Sequence, residues 1–189
     1  MKILNAISER HSTRAFRPEM IADDELETII EAGRLAPTGM NDRANRIYVF
    51  RQGAALDRLQ TALVNAASRG SADGIPKEKA EKMRNDGYSF CYGAPCFILT
   101  THRGNQYNAL SNGACMLENM MIQAQESGIG VCWINLVRRA QNDEEVRTVL
   151  REFGIDDDEF VTGGLAAGYA DGDYSHEHTE EGNEVIYIE

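Results

Sequence analysis

The sequence predicts an α+β or α/β fold in which helices pack around one sheet, and three observations carry that prediction. β-prone runs at residues 47–50, 96–101, 131–136, 160–168 and 185–188 alternate with amphipathic helical stretches. One long stretch, 107–127, is apolar on more than one face and must be covered on more than one side. The 189 residues hold no internal repeat and no low-complexity linker, as expected of one domain over 1–189.

The elements follow in order. Residues 2–9 form a short helix with Ile3, Ile7 and Leu4 on one side. A second helix runs from Asp24 to Leu35, with Asp23 as N-cap and Leu26, Ile29, Ile30 and Gly33 on one face. Pro37 stops it, and Thr38 to Asp42 reads as a loop. A strand at Ile47–Phe50 and a helix at Ala54–Ala67 come next. Residues 68–90 carry Gly70, Gly74, Pro76, Gly87 and a charged patch from Lys77 to Lys82, a composition that suits a mobile lid and a surface excursion equally. Pro95 opens the run Cys96–Thr101. In helix 107–127, Leu110, Ala114, Leu117, Met121 and Ala124 keep a heptad-like spacing, widened by Ala109, Met116 and Met120. A central helix, a subunit interface, or both fit that pattern. Gly128-Ile129-Gly130 ends it, and Val131–Leu136 forms a strand. Val146, Val149, Leu150 and Phe153 mark a further helix, Phe160–Gly168 a strand, and Val185–Ile188 a terminal strand.

Charge and composition exclude several function classes. A net charge of −11 argues against general binding to nucleic acid or anionic membranes. No apolar run approaches the roughly 20 residues of a membrane helix. Met1 to Glu9 lacks a signal-peptide core, so a cytoplasmic protein is expected. Residues 152–189 carry twelve Asp or Glu and no Lys or Arg, so any phosphate must be held by cations from earlier in the chain or by backbone amides. Cys91, Cys96, Cys115 and Cys132 form no C-x-x-C pair; the last three lie among apolar residues and read as buried packing. His176 and His178 form an H-x-H without a third ligand, which a solvated acidic tail explains better than a metal site.

The chain has no P-loop, no G-x-G-x-x-G after a strand, no H-E-x-x-H and no G-x-S-x-G. Its informative stretch is Arg10-His11-Ser12-Thr13-Arg14-Ala15-Phe16. In an extended segment Arg10, Ser12 and Arg14 point the same way, offering two guanidinium forks and a hydroxyl to a phosphorylated ligand. On spacing alone, a solvated basic turn is the better account.

This stretch resembles the N-terminal flavin signature of the nitroreductase family, the FMN-dependent NAD(P)H oxidoreductases. Further landmarks follow in the family's order. Ala36-Pro37-Thr38-Gly39-Met40-Asn41 resembles its A-P-S-x-x-N loop, and Tyr92-Gly93-Ala94-Pro95 with the run after it resembles its A-P-plus-strand element. Gly113-Ala114 with Glu118-Asn119 is similar to its long helix. Gly128 to Ile134 resembles its G-L-G-x-x-W-I strand, and Leu165 to Tyr169 its L-x-x-G-Y segment.

The resemblance implies an α+β fold with an α/β-type layered sandwich, a mixed sheet wrapped by helices, in an intertwined homodimer with two FMN sites at the interface. Arg10, His11, Ser12 and Arg14 would contact FMN from one subunit, and Pro37, Thr38, Gly39, Met40 and Asn41 from the other. Backbone at Asn135 and Leu136 matches the segment that donates toward flavin N5. Arg14 would lie near N1 and O2, where negative charge gathers on reduction. The chain departs from the family in carrying Arg43-Ala44-Asn45 where Gln-Pro-Trp is usual, and in having no Lys or Arg in the stretch from Glu177 to Gly182. It also has no evident basic or amide flavin contact within 68–90. His176 and His178 lie near the missing cation's place, and backbone amides with Ser12 are the alternative phosphate ligands.

The activity so implied is transfer of electrons from NADH or NADPH through bound FMN to a small acceptor such as a nitroaromatic or quinone. The flavin carries the chemistry, with no catalytic side chain, no metal, no nucleic acid and no membrane. Tyr88, Phe90 and Tyr92 either line the acceptor pocket or pack beneath the 68–90 segment. Three alternatives remain: a flavin store or sensor without turnover, a flavoenzyme of the same fold with dehalogenase or flavin-breakdown chemistry, and a cofactor-free interaction protein.

Overall fold

The structure is a computed structural model that describes residues 3–85, 87–104, 107–172 and 184–188. Seven helices are present among them: α1 (Ile3–Glu9), α2 (Asp23–Arg34), α3 (Ala54–Arg69), α4 (Lys77–Lys82), α5 (Ala109–Glu126), α6 (Leu136–Ala140) and α7 (Glu144–Glu152). The strands are β1 (Asn45–Arg51), β2 (Cys96–Arg103), β3 (Gly130–Ile134) and β4 (Glu159–Gly168), in the order β1-β2-β4-β3. All four pair antiparallel. The parallel element that makes the arrangement mixed is one isolated bridge, Ser12 to Val131.

Alternation along the central strands builds a core on each side of the sheet. Phe97 and Leu99 of β2 join Leu59, Leu63, Val137, Val146 and Leu150 on the face covered by α3, α6 and α7. Cys96 and Ile98 face the other way, toward Leu26 and Ile29 of α2 and Met116, Leu117 and Met120 of α5. A strand covered on both faces reads as a continuous apolar run, which is why Cys96–Thr101 shows no polar alternation. At the edge, β1 buries only Phe50.

Two close approaches set the position of α5. A Cβ added at Gly113 would lie 2.3 Å from Thr162 Oγ1 of β4, and one at Gly33 of α2 would lie 2.8 Å from Met120 Cγ. Glycine at each crossing lets α5 press against the sheet and α2 press against α5.

Several expectations are corrected. Asp23 is the first residue of α2 rather than its cap; Ala22 occupies that place and makes no side-chain cap hydrogen bond. The third strand ends at Ile134, and Leu136 opens α6 because Asn135 has already turned to φ −103°, ψ −1°. Among the described residues Val185–Ile188 pairs with no strand, and it is 70–94% exposed. Cys115 is exposed, since α5 leaves one stripe uncovered, whereas Cys91, Cys96 and Cys132 are buried. The 68–90 segment is packed rather than loose. Ala72, Ala80, Met83 and Phe90 are buried in the core, and the Gln60 side chain donates to Tyr88 O at 3.0 Å and accepts from Phe90 N at 2.8 Å.

Candidate functional site

Arg10 to Arg14 leaves α1 through a bond from Arg10 N to Ala6 O and runs beside the start of β3, where Thr13 N donates to Val131 O at 2.9 Å. The extended alternation is present. Thr13 turns inward and is 1% exposed, while Arg14 faces solvent. Burial pushes the Cys132 thiol up, opposed by the Arg14 charge and a hydrogen bond with Ser12, so both reach the same place beside β3. His11 Nδ1 lies 3.0 Å from Glu9 O.

Further along, Asn135 Oδ1 accepts from Trp133 Nε1 at 3.0 Å and from Arg138 Nε at 3.4 Å, and Leu136 is buried beneath it. Here the β3–α6 junction opens into a cavity of about 410 Å³ lined by Lys79, Tyr88, Tyr92, Trp133, Asn135 and Arg139. Phe90 also borders it, but stacks edge-on against Phe97 with centroids 4.9 Å apart, so its first role is packing.

The second predicted segment sits elsewhere. Gly39 to Asn41 forms a single turn of 3-10 helix, followed by Asp42 in the right-handed region. Met40, Asn41 and Arg43 take φ of 56°, 56° and 50°, left-handed values that cost a residue with a Cβ. Met40 is 97% exposed and Pro37 also faces solvent. Gly39 N donates to Asn112 Oδ1 of α5 at 2.8 Å, and Arg43 N donates to Thr38 Oγ1 at 3.3 Å. Asp42 Oδ2 lies 3.2 Å from Nε2 of buried His102 on β2. Burial works against its ionisation, yet hydrogen bonds from His102 and Ala44 outweigh it and hold the carboxyl below its ordinary range.

Within one chain the two segments stay apart. Gly39 is tied near the start of α5, whereas Thr13 packs against Gly130, just beyond its end. At 1.5 Å per residue, α5 separates them by about 20 Å.

The arginines are distributed unevenly. Nine of them, at 17, 34, 46, 51, 58, 69, 103, 147 and 151, pair with a carboxylate. Among the described residues, Arg10, Arg14, Arg43, Arg84, Arg138 and Arg139 do not. All but Arg84 lie in or beside the segments described above. In a chain of net charge −11, cations left without carboxylates are available to meet an anion. His176 and His178 lie outside the described residues. Sequence reasoning did not single out Asp42, His102, Asn112, Arg138 or Arg139; the available signal was a histidine near the end of the β2 run, after Thr100 and Thr101.

A family model described as the nitroreductase family matches residues 7–169. A nitrobenzene nitroreductase from Ectopseudomonas oleovorans is 25% identical over 199 residues, covering 87% of this chain and 85% of its own. A 4-nitrobenzoate reductase from Pseudomonas putida is 26% identical over 198 residues, covering 87% and 84%. The crystal structure of a nitroreductase with bound FMN from Bacteroides fragilis superimposes with a TM-score of 0.91 at 29% identity, covering 100% of both chains. By the match along most of its length, this chain belongs to the nitroreductase family.

Proposed function

We propose that the protein is a homodimeric FMN-dependent oxidoreductase that draws electrons from NADH or NADPH and delivers them to a small acceptor such as a nitroaromatic or quinone. The carrying observation is the gathering of carboxylate-free arginines around the Arg10–Arg14, Pro37–Asn41 and Asn135–Leu136 segments. The donor set fits FMN: guanidinium groups and the Ser12 hydroxyl for a phosphate and an electron-rich ring edge, backbone for the remaining heteroatoms. The bound FMN of the Bacteroides fragilis relative supports the same reading. Bound FMN supplies the capacity to take and give hydride.

The chain's own residues do the rest. Arg10, His11, Ser12 and Arg14 bind and orient the cofactor, and the fixed charge of Arg14 favours added negative charge nearby. Leu136 and the buried β3–α6 junction keep water from one side. The cavity beside Asn135, walled by Tyr88, Tyr92 and Trp133, admits a flat donor or acceptor in turn, with Lys79 and Arg139 at hand for an anionic group.

Dimerisation completes the site. When two copies of α5 pack antiparallel about a twofold axis, the Arg10–Arg14 end of one chain meets the Pro37–Asn41 end of the other. Uncovered residues of α5, including Leu110, Ser111 and Cys115, and the exposed Ile3, Leu4 and Ile7 of α1 supply an interface. Exposed Val185–Ile188 fits the same role by lying against the partner. Among the described residues no helix is long and apolar enough to cross a membrane, and we place the enzyme's work in the cytoplasm.

Purified protein is expected to be yellow and to release FMN on denaturation. Anaerobic addition of NADH or NADPH should bleach the flavin. A colourless preparation that refuses added FMN would overturn the cofactor assignment, and a yellow one that no nicotinamide bleaches would point to a store or sensor.

A further inference from the structure

The Thr38–Arg43 loop raises a physical question. Three of its non-glycine residues hold left-handed φ values, and its central side chain, Met40, is 97% exposed and packs on nothing in this chain. Asn41 tolerates the left-handed region, but neither intrinsic preference nor burial of their own side chains explains it at Met40 and Arg43. No proline restrains the stretch from Thr38 to Asn45.

What does hold the loop is a connected set of polar groups. Asn112, 3% exposed on α5, accepts from Gly39 N at 2.8 Å and directs its Nδ2 at Asp42 Oδ1, 3.4 Å away. Asp42 Oδ1 also accepts from Ala44 N at 3.4 Å, and Oδ2 faces His102 Nε2 at 3.2 Å. A carboxylate only accepts, so Nε2 carries the proton of that contact. His102 is 2% exposed, and among the described residues its buried Nδ1 has no hydrogen-bond partner, so the ring's one polar anchor there is Asp42. The network grips both the start of the turn, at Gly39, and its end, at Asp42 and Ala44. It ties them to two elements, α5 and β2.

We propose that Asp42, clamped by His102 and Asn112, is a positioning residue that holds the Thr38–Arg43 loop preformed to meet FMN. It acts through the loop rather than on the cofactor. The inference rests on the FMN reading above, and preforming the loop lowers the ordering cost of binding.

The test uses the full chain and two measurements. One is backbone amide exchange at residues 38–44 of the FMN-free protein; the other is FMN affinity by fluorescence titration. Asp42→Ala and His102→Leu should each speed exchange at 38–44 and weaken FMN by about tenfold, with β2 and α5 still protected. His102→Gln places an amide nitrogen where Nε2 lies and should bring both measurements back to within about threefold of wild type. Rescue by that variant separates positioning from mere packing of a buried ring. Should His102→Leu fail to fold, Asp42→Ala decides, because the Asp42 side chain is 33% exposed. Unchanged loop exchange in Asp42→Ala overturns the proposal, and so does weaker FMN binding without faster exchange. Wild-type protein that refuses FMN would overturn the cofactor reading instead, and the exchange measurement still shows whether Asp42 holds the loop.

Discussion

At the scale of single residues, charge pairing separates structural from ligand-binding groups. Glu159 shows the structural kind. Its side chain is fully buried and accepts from Thr101 Oγ1 at 2.5 Å, Tyr48 OH at 3.0 Å and Arg46 Nη1 at 2.8 Å. Burial opposes its charge, but the Thr101 and Tyr48 hydrogen bonds, the Asp156 amide and Arg46 together hold its pKa below the ordinary value. A carboxyl with a lowered folded-state pKa stabilises the fold above its unfolded pKa, and the contribution is lost as pH falls through the folded value. Glu159→Ala should therefore cost about 2–3 kcal/mol at neutral pH, by leaving buried partners unpaired, and should flatten the acid limb of the stability curve. Urea melts from neutral pH into the acid range check both, and parallel acid limbs for the two proteins would refute the assignment. Arg10 is proposed as the other kind. It has no carboxylate partner among the described residues, so Arg10→Ala should leave the melting temperature near wild type. FMN binding should weaken at least tenfold, the loss of a charged hydrogen bond of about 1.5–3 kcal/mol. Unchanged FMN affinity in a titration would make Arg10 an ordinary surface residue.

At the scale of elements, α5 organises the molecule. Its buried side meets α2 and the sheet, its first turn holds the Thr38–Arg43 loop through Asn112, and its end leads into β3 beside Thr13. Position along it depends on Gly113, where a Cβ would meet Thr162 Oγ1 and Cβ at 2.3 and 2.4 Å. Gly113→Ala should destabilise by about 1–3 kcal/mol through overpacking, and a melting temperature lower by about 2–4 °C per kcal/mol would report it. A melting curve that overlays wild type would mean that α5 can lift from β4 freely. Helix periodicity made α5 readable, down to its breadth of apolar surface. It did not reveal which stripe stays open, and so Cys115 was expected inside. The reason is that periodicity records how many faces are apolar, while packing decides which of them is covered.

At the scale of the whole molecule, the two segments proposed to meet FMN lie at opposite ends of α5, and in the proposed dimer a second copy brings them together. Light scattering should report a dimer carrying one FMN per chain. Cys115→Arg puts a charge on the exposed stripe without entering the monomer core, so it should yield a folded monomer whose flavin affinity has collapsed. A monomer that keeps stoichiometric FMN would remove the dimeric site from consideration.

Much of this was legible before any coordinates. The α+β character, the loop that follows Pro37 and the β2 run follow from side-chain period and backbone preference, which are local properties of the chain, whereas the reading of Arg10–Arg14 came from its resemblance to the nitroreductase family. Tertiary structure decided the rest. Asp23 yields the cap of α2 to Ala22, and Leu136 leaves its strand for a helix, because element ends depend on how the chain must turn to reach its next contact. The Asp42–His102–Asn112 network joins residues 60 and 70 positions apart in sequence. No local pattern encodes such a junction, since hydrogen bonds between distant side chains exist only once strand register and helix position have placed them within about 3 Å of one another.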